Sequence, residues 1–293
     1  MDDIDKKYEA DFDLLLTAAI EIGNKLSGKQ YSSDSNNLIY AEGLGQKIIS
    51  HILSVRRLKD GYSPVAGGNL YQPTIDFASI FILTRAAIET YLTLNFIFTF
   101  PKEPDVKEFR FMCWDLAGYL ERAGSSPMND ENIKLKESEK LAIELLRNKI
   151  KINPYFLTLP PQLQGLALNG QWRLNYSWSK IAKDAGIGGT VFDQQYKFLC
   201  GYAHSSRLST MQIQQTKGIE NQLMMARSSL AILMFVLAKH MFDYINIIPE
   251  LKSSVDLNSF QYKLIFLWKE IGENMETFFI DKNLSNPVTN KNQ

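Results

Sequence analysis

Ile80–Phe98 reads IFILTRAAIETYLTLNFIF. Apart from a tyrosine, an asparagine and three threonines, only Arg85 and Glu89 break its apolar character. A segment apolar on all sides predicts a buried helix, and Pro101 and Pro104 stop it, so the helix covers 74–100. Arg85 and Glu89 stand four residues apart and share one helix face. Charges inside an apolar helix need partners. The candidate partner is His204, in QYKFLCGYAHSSR (195–207), where it follows an aromatic helix end.

Working outward, 3–26 and 37–59 carry apolar residues at helical spacing with polar opposite faces. They predict an antiparallel hairpin over 1–60, separated by the Ser/Asp/Asn loop 31–36. A Gly/Pro/Asn-rich stretch, 60–73, predicts a loop. Helices follow at 105–123 and at 131–152, the latter highly charged, mixed in sign and exposed. Pro154, Pro160, Pro161, Gly165 and Gly170 make 153–175 read as irregular. Short helix 178–185 leads to Thr190, an N-cap with Asp193 three residues on, and then to helix 191–204. A second apolar helix, 218–248, ends at Pro249. A last helix, 258–279, precedes a polar tail from Asp281. No strand pattern and no internal repeat is visible. The expected class is all-α: a bundle of about eight to ten helices with two central apolar helices, 74–100 and 219–248. The expected organisation is one domain, 1–293, with the hairpin 1–60 packed on a core, 74–280.

Composition narrows the function classes. Lys plus Arg and Asp plus Glu both total 32 in 293 residues, so no global basic charge points to nucleic acid. Two distant cysteines, Cys113 and Cys200, do not make a disulfide framework and read as small core residues. No spacing resembles a zinc site, so no metal and no cofactor is expected. The acidic, amphipathic start MDDIDKKYEADFDLLL lacks the pattern of a secretory signal, which implies a cytoplasmic location. A membrane span over 75–100 would put Arg85 and Glu89 near the bilayer centre, each costing about 2.5–3.5 kcal/mol on insertion scales. No membrane span is therefore expected. P-loop, GxGxxG, HExxH and GxSxG motifs are absent.

The candidate catalytic residues are His204, Arg85 and Glu89. A histidine can exchange protons near neutral pH, and a guanidinium can hold negative charge. Arg207, Tyr196 and Trp178 are candidate binding residues. Trp172, Tyr176 and Trp178 form an aromatic group that could stack bases or cover the core. Each of these also has a structural reading. Arg85 and Glu89 can be a buried ion pair that fixes helix packing, and His204 a helix cap donating to Glu89.

The segments LTRAAIETYL (83–92), WSKIAKDAGI (178–187) and YKFLCGYAHSSR (196–207) resemble the landmarks of an uncharacterised group of bacterial all-helical proteins. In that group an Arg/Glu-bearing apolar helix precedes a "W…IA…G" element and a "Y..LS..VH" helix end. The resemblance covers about 74–248. Arg85, Glu89, Tyr196 and His204 match its polar and aromatic positions, and Cys200 replaces its usual serine. The group is similar in style to HEPN-type proteins, helical bundles of toxin–antitoxin and phage-defence systems. Active HEPN ribonucleases resemble one another in an Arg-x(4–6)-His motif, which is absent here. Lys197 precedes His204 with six residues between them, and Arg207 follows it.

Two functions follow as expectations. One is an interaction module of a defence or stress system, with a protein partner. The other is a metal-independent endoribonuclease, with His204 as general acid/base and Arg85 or Arg207 stabilising the phosphoryl charge. By analogy with HEPN enzymes, a homodimer would set two His204 side chains in one cleft.

Overall fold

The computed structural model of the chain describes residues 3–31, 37–124 and 130–277. Most of the expected loop 31–36 and all of the tail from Asp281 lie outside these residues, as does part of the break after Gly124. The described residues form fourteen α-helices, one π-helical turn and a two-residue hairpin. The class is all-α. The helix count exceeds the expected eight to ten because several helices have only five to nine residues. The chain divides into two compact units, Met1–Asn95 with Ala182–Gln293, and Phe96–Ile181.

The first unit is built around α3 (Phe77–Leu94), whose N-cap Asp76 accepts from Ser79 N at 3.0 Å. Helix α1 (Asp3–Asn24) and α2 (Leu38–Lys59) pack together, and α2 makes a long contact with α3. Ala41, Ile48, Ile52 and Val55 of α2 and Ile80, Phe81, Ala87 and Ile88 of α3 are buried. Truncating a buried phenylalanine such as Phe81 to alanine costs about 3–5 kcal/mol. Between α2 and α3, β1 (Val65–Ala66) and β2 (Asn69–Leu70) pair across Gly67 and Gly68, which both take positive φ, 57° and 78°. That Gly-Gly turn matches a hairpin twist and explains why this segment leaves the helical pattern.

The second apolar stretch divides into α11 (Ile219–Arg227) and α12 (Leu230–Ile247). The break at Ser228–Ser229 contains neither glycine nor proline, so no sequence signal marks it. Helix α12 packs against α3, α1, α13 (Pro249–Ser254) and α14 (Phe260–Glu273). Phe77–Thr99 and Ile219–Ile247 are long and apolar enough to cross a membrane, and most of each is buried within the fold.

Helix α9 (Thr190–Ala203) lies against α3. Its N-cap is Gly189 rather than Thr190, so the expected capping box does not form. Instead, Glu276 Oε1 accepts from Val191 N at 2.6 Å, and a carboxylate from the C-terminal region caps the helix. Gly188 just before it allows a close approach: a Cβ there would sit 2.3 Å from Lys183 N. Helix α10 (Arg207–Gln215) follows α9 after a three-residue corner, 204–206.

The second unit holds the π-helical turn (Asn95–Thr99) from Phe96 onward, α4 (Pro104–Ala123), α5 (Asp130–Ile152), α6 (Pro154–Thr158) and α7 (Pro161–Leu168). Helix α8 (Trp178–Asp184) leaves it. Phe109, Met112, Cys113, Leu116, Ile143, Ile150, Phe156, Ala167 and Leu174 form its core. Burial pushes the Cys113 thiol up to about 12, so it is an inert core group. The stretch expected to be irregular carries α6 and α7. Pro154 and Pro161 stand at their first turns, where a missing N–H and a fixed φ favour a helix start. Asn153 caps α6 by accepting from Tyr155 N at 2.9 Å. Buried Arg110 donates to Phe96 O at 2.8 Å and lies over the Phe96 ring at 3.8 Å.

Candidate functional site

Arg85 and Glu89 project from α3 one turn apart, toward the face of α9 that carries Tyr196 and Cys200. Tyr196, Cys200 and His204 are spaced by four residues, so they follow one line down α9 to its end. Aromatic contacts hold the two helices in register. Phe81 meets Phe198 at 5.1 Å and Tyr202 at 4.7 Å, edge to face, and Phe192 stacks on Tyr196 at 5.9 Å.

The structure brings Arg85, Glu89, Tyr196 and His204 together. Arg85 Nε donates to Glu89 Oε1 at 2.8 Å. The Tyr196 hydroxyl donates to the same oxygen at 2.5 Å. Arg85 Nη1 stands 3.3 Å from His204 Nε2. Because a guanidinium only donates, Nε2 accepts in this contact and the ring proton resides on Nδ1. Burial, then the bond to Glu89, pushes the Tyr196 hydroxyl up, so it remains a donor. Burial pulls the Arg85 guanidinium down, but Tyr196 and the Glu89 charge outweigh it and raise it. The bonds from Tyr196 and Arg85 to Glu89 hold the carboxylate and orient the guanidinium toward His204.

Exposure corrects one expectation. The Arg85 and Glu89 side chains are 19% and 26% exposed, so the pair is not buried in the core. His204 is exposed, and Cys200 is half-buried beside the cluster rather than a core residue.

His204 is the C-cap of α9. Ser205 N donates to Tyr202 O at 3.4 Å and Ser206 N to Gly201 O at 2.9 Å, the double bond of a Schellman turn. Ser205 occupies the left-handed position, φ 50°, where glycine is usual. Ser206 then caps α10, its hydroxyl accepting from Ser209 N at 3.2 Å.

The other candidates fall elsewhere. Arg207 is exposed on the first turn of α10, with no side-chain ion pair among the described residues. Trp178 belongs to the second unit by its position in the chain. There it meets Trp172 at 6.3 Å, and Arg173 lies over its ring at 4.6 Å. Phe96 packs on Trp172 and Tyr176. These rings are a packed aromatic cluster. Among the described residues no group of histidines, cysteines and carboxylates could hold a metal ion.

A second polar network lies in the first unit's interior. Tyr91 and Asn95 of the α3 line both bond Asp243 Oδ2, at 2.9 and 2.8 Å. Lys239 reaches Glu273 at 2.7 Å and Asp243 at 3.7 Å, and Lys269 reaches Glu273 at 2.6 Å. Sequence reasoning missed it. The signal was present in α12, where Lys239, His240 and Asp243 interrupt an apolar run just as Arg85 and Glu89 do in α3.

Residues 75–220, 146 of the 293, match the model of a family of unknown function, DUF5677. The matched stretch contains all four residues of the α3–α9 cluster. No curated protein and no solved structure matches the chain.

Proposed function

We propose that the α3–α9 cluster acts on a phosphodiester, as a metal-independent endoribonuclease site. The observation that carries this is an exposed His204 whose Nε2 faces the Arg85 guanidinium, itself held by Glu89 and Tyr196. The ring is exposed and so open to a substrate. As the Arg85 guanidinium swings from His204 Nε2 to the phosphate, the freed Nε2 takes the proton of a ribose 2′-hydroxyl, whose oxygen attacks the adjacent phosphorus. The bond to the 5′-oxygen breaks, leaving a 2′,3′-cyclic phosphate, and the departing oxygen takes a proton from water. Arg85 faces the charge that develops on the phosphoryl oxygens, and Arg207, exposed at the start of α10 with no ion pair among the described residues, adds positive charge. Glu89 and Tyr196 position the guanidinium. The test is cleavage of single-stranded RNA in chelator. His204→Ala should lower the rate by about 10²–10⁴ with the melting temperature unchanged, and Arg85→Lys should lower it too. Wild-type protein inert on a broad RNA panel, or His204→Ala as active as wild type, overturns this reading.

An interaction module is the second reading. Glu89 already neutralises Arg85, and α10 presents Leu208, Met211 and Ile213 to solvent beside the cluster. In that reading the four residues clamp α3 to α9, and a protein partner covers α10. It predicts no cleavage, and lost partner binding in Leu208→Ser.

A further inference from the structure

Helices α1, α2 and α12 enclose a cleft of about 430 Å³, well away in sequence from the α3–α9 cluster and wholly within the first unit. Its size is that of a small-molecule site, and a crevice between bundle helices is a common place for one. Its walls combine two kinds of surface. Ile20, Ile49 and Leu53 supply an apolar side. Glu42, Gln46, Ser50, His240 and Tyr244 supply the polar groups.

His240 is 2% exposed, and its Nδ1 has no hydrogen-bond partner among the described residues. Orphaned buried nitrogens are uncommon and call for an explanation. The imidazole lies against Gly45, where a Cβ would come within 3.1 Å of Cε1 and 3.3 Å of Nε2. Glycine at this point lets the ring stand at the cleft wall. Burial holds His240 down to about 4, so it is neutral and offers one donor and one acceptor.

The charge of the cleft selects the ligand. Glu42 is the one carboxyl side chain among the described lining residues, and its Oε1 accepts from the Tyr31 hydroxyl. No lysine or arginine is among the described lining residues. Of the lysines close by in sequence, Lys25 donates to Ser254 O at 3.0 Å, Lys29 pairs with Glu250 at 2.7 Å, and Lys47 is exposed on α2 outside the cleft lining. The last turn of α1 also borders the cleft and carries no basic residue, so the negative end of its dipole adds to Glu42. An anion would meet no countercharge here.

We infer that this cleft binds a small organic cation with an apolar body, an arylalkylamine or a compound of like chemistry, with the ammonium on Glu42 and the body between Ile49, Leu53 and the His240 ring. Phenethylamine is the probe, with phenethyl alcohol and phenylacetate as its neutral and anionic counterparts. The readout is the ring resonances of His240 in protein labelled at its three histidines, assigned by subtraction in His240→Gln. Phenethylamine should shift them saturably, and phenylacetate should not. Glu42→Gln should weaken binding by about tenfold or more. Ser50→Trp, which fills the mouth from the exposed side of α2, should abolish it while the fold is retained. No shift in the wild type at ~10 mM amine, equal shifts with the alcohol or the carboxylate, or binding unchanged in both variants would each overturn the inference.

Discussion

Helix α3 carries two polar groups of similar make-up, little more than a turn apart, in opposite settings. Arg85 and Glu89 meet Tyr196 and His204 at the edge of the fold, where water reaches them. Tyr91 and Asn95 meet Asp243, and through it Lys239, in the interior, where it does not. Both join a carboxylate to a tyrosine hydroxyl and a basic side chain. Their energetics diverge because a half-exposed charge can be rehydrated when its partner is lost, whereas a buried one cannot. The interior group is the stabilising device, and the edge group is the one free to act on something else.

That contrast has measurable edges. Asp243→Ala strands the Tyr91 hydroxyl, the Asn95 amide and part of the Lys239 charge in the core, and should cost about 3–5 kcal/mol in urea unfolding. Burial raises the Asp243 carboxyl, with Lys239 only partly offsetting it. A raised carboxyl favours the fold most below its ordinary value and gives that contribution up as pH rises through its folded value. Asp243→Asn should therefore cost less than Asp243→Ala at neutral pH.

The next effect is an acid one. The unfolded chain protonates His240 near 6.5, while the folded chain resists until about 4. Its contribution is complete above 6.5 and is lost as pH falls toward 4, approaching about 3 kcal/mol. Glu42 of α2 lines the same cleft, and Tyr244, Lys239 and Asp243 lie beside the ring on α12, so the slope should be read as a difference between proteins. His240→Leu should flatten it relative to wild type in chemical unfolding across that window.

At the edge, Glu89→Gln should cost only about 1 kcal/mol, discounted for solvent. Should it equal Asp243→Ala, exposure does not separate the two groups. The smallest expected effect is a gain. Ser205→Gly relieves a left-handed serine and should stabilise by about 0.5–1 kcal/mol, seen as a higher urea midpoint.

Much of this was legible in the residues. The four-residue spacing of Arg85 and Glu89 gave their shared face, and the lone histidine at a helix end gave their third member. Tyr196 was legible as a candidate, though not as the second donor to Glu89, because partners across helices follow from packing rather than spacing. The interior network escaped because Lys239 reads as the end of the apolar run 228–238 when that run is measured by length alone, and not as a charge inside helix 218–248. The prolines of 153–175 misled for a related reason: proline ends a helix from within and starts one at its first turn. Gly186 explains the glycine of the "W…IA…G" landmark, since it takes φ 79° just after α8, the left-handed position that favours glycine at a helix end.

The corner after α9 has a consequence for timing. His204 is held by the last turn of a helix, through three amide bonds from His204, Ser205 and Ser206. Helix ends open far more often than cores, and opening this turn would release the imidazole from Arg85 without disturbing α3. The fraction of molecules with the corner closed therefore scales the apparent strength of anything that needs His204 in place. Amide exchange at Ser206 reports that fraction directly. Ser205→Gly, by favouring the closed corner, should slow that exchange.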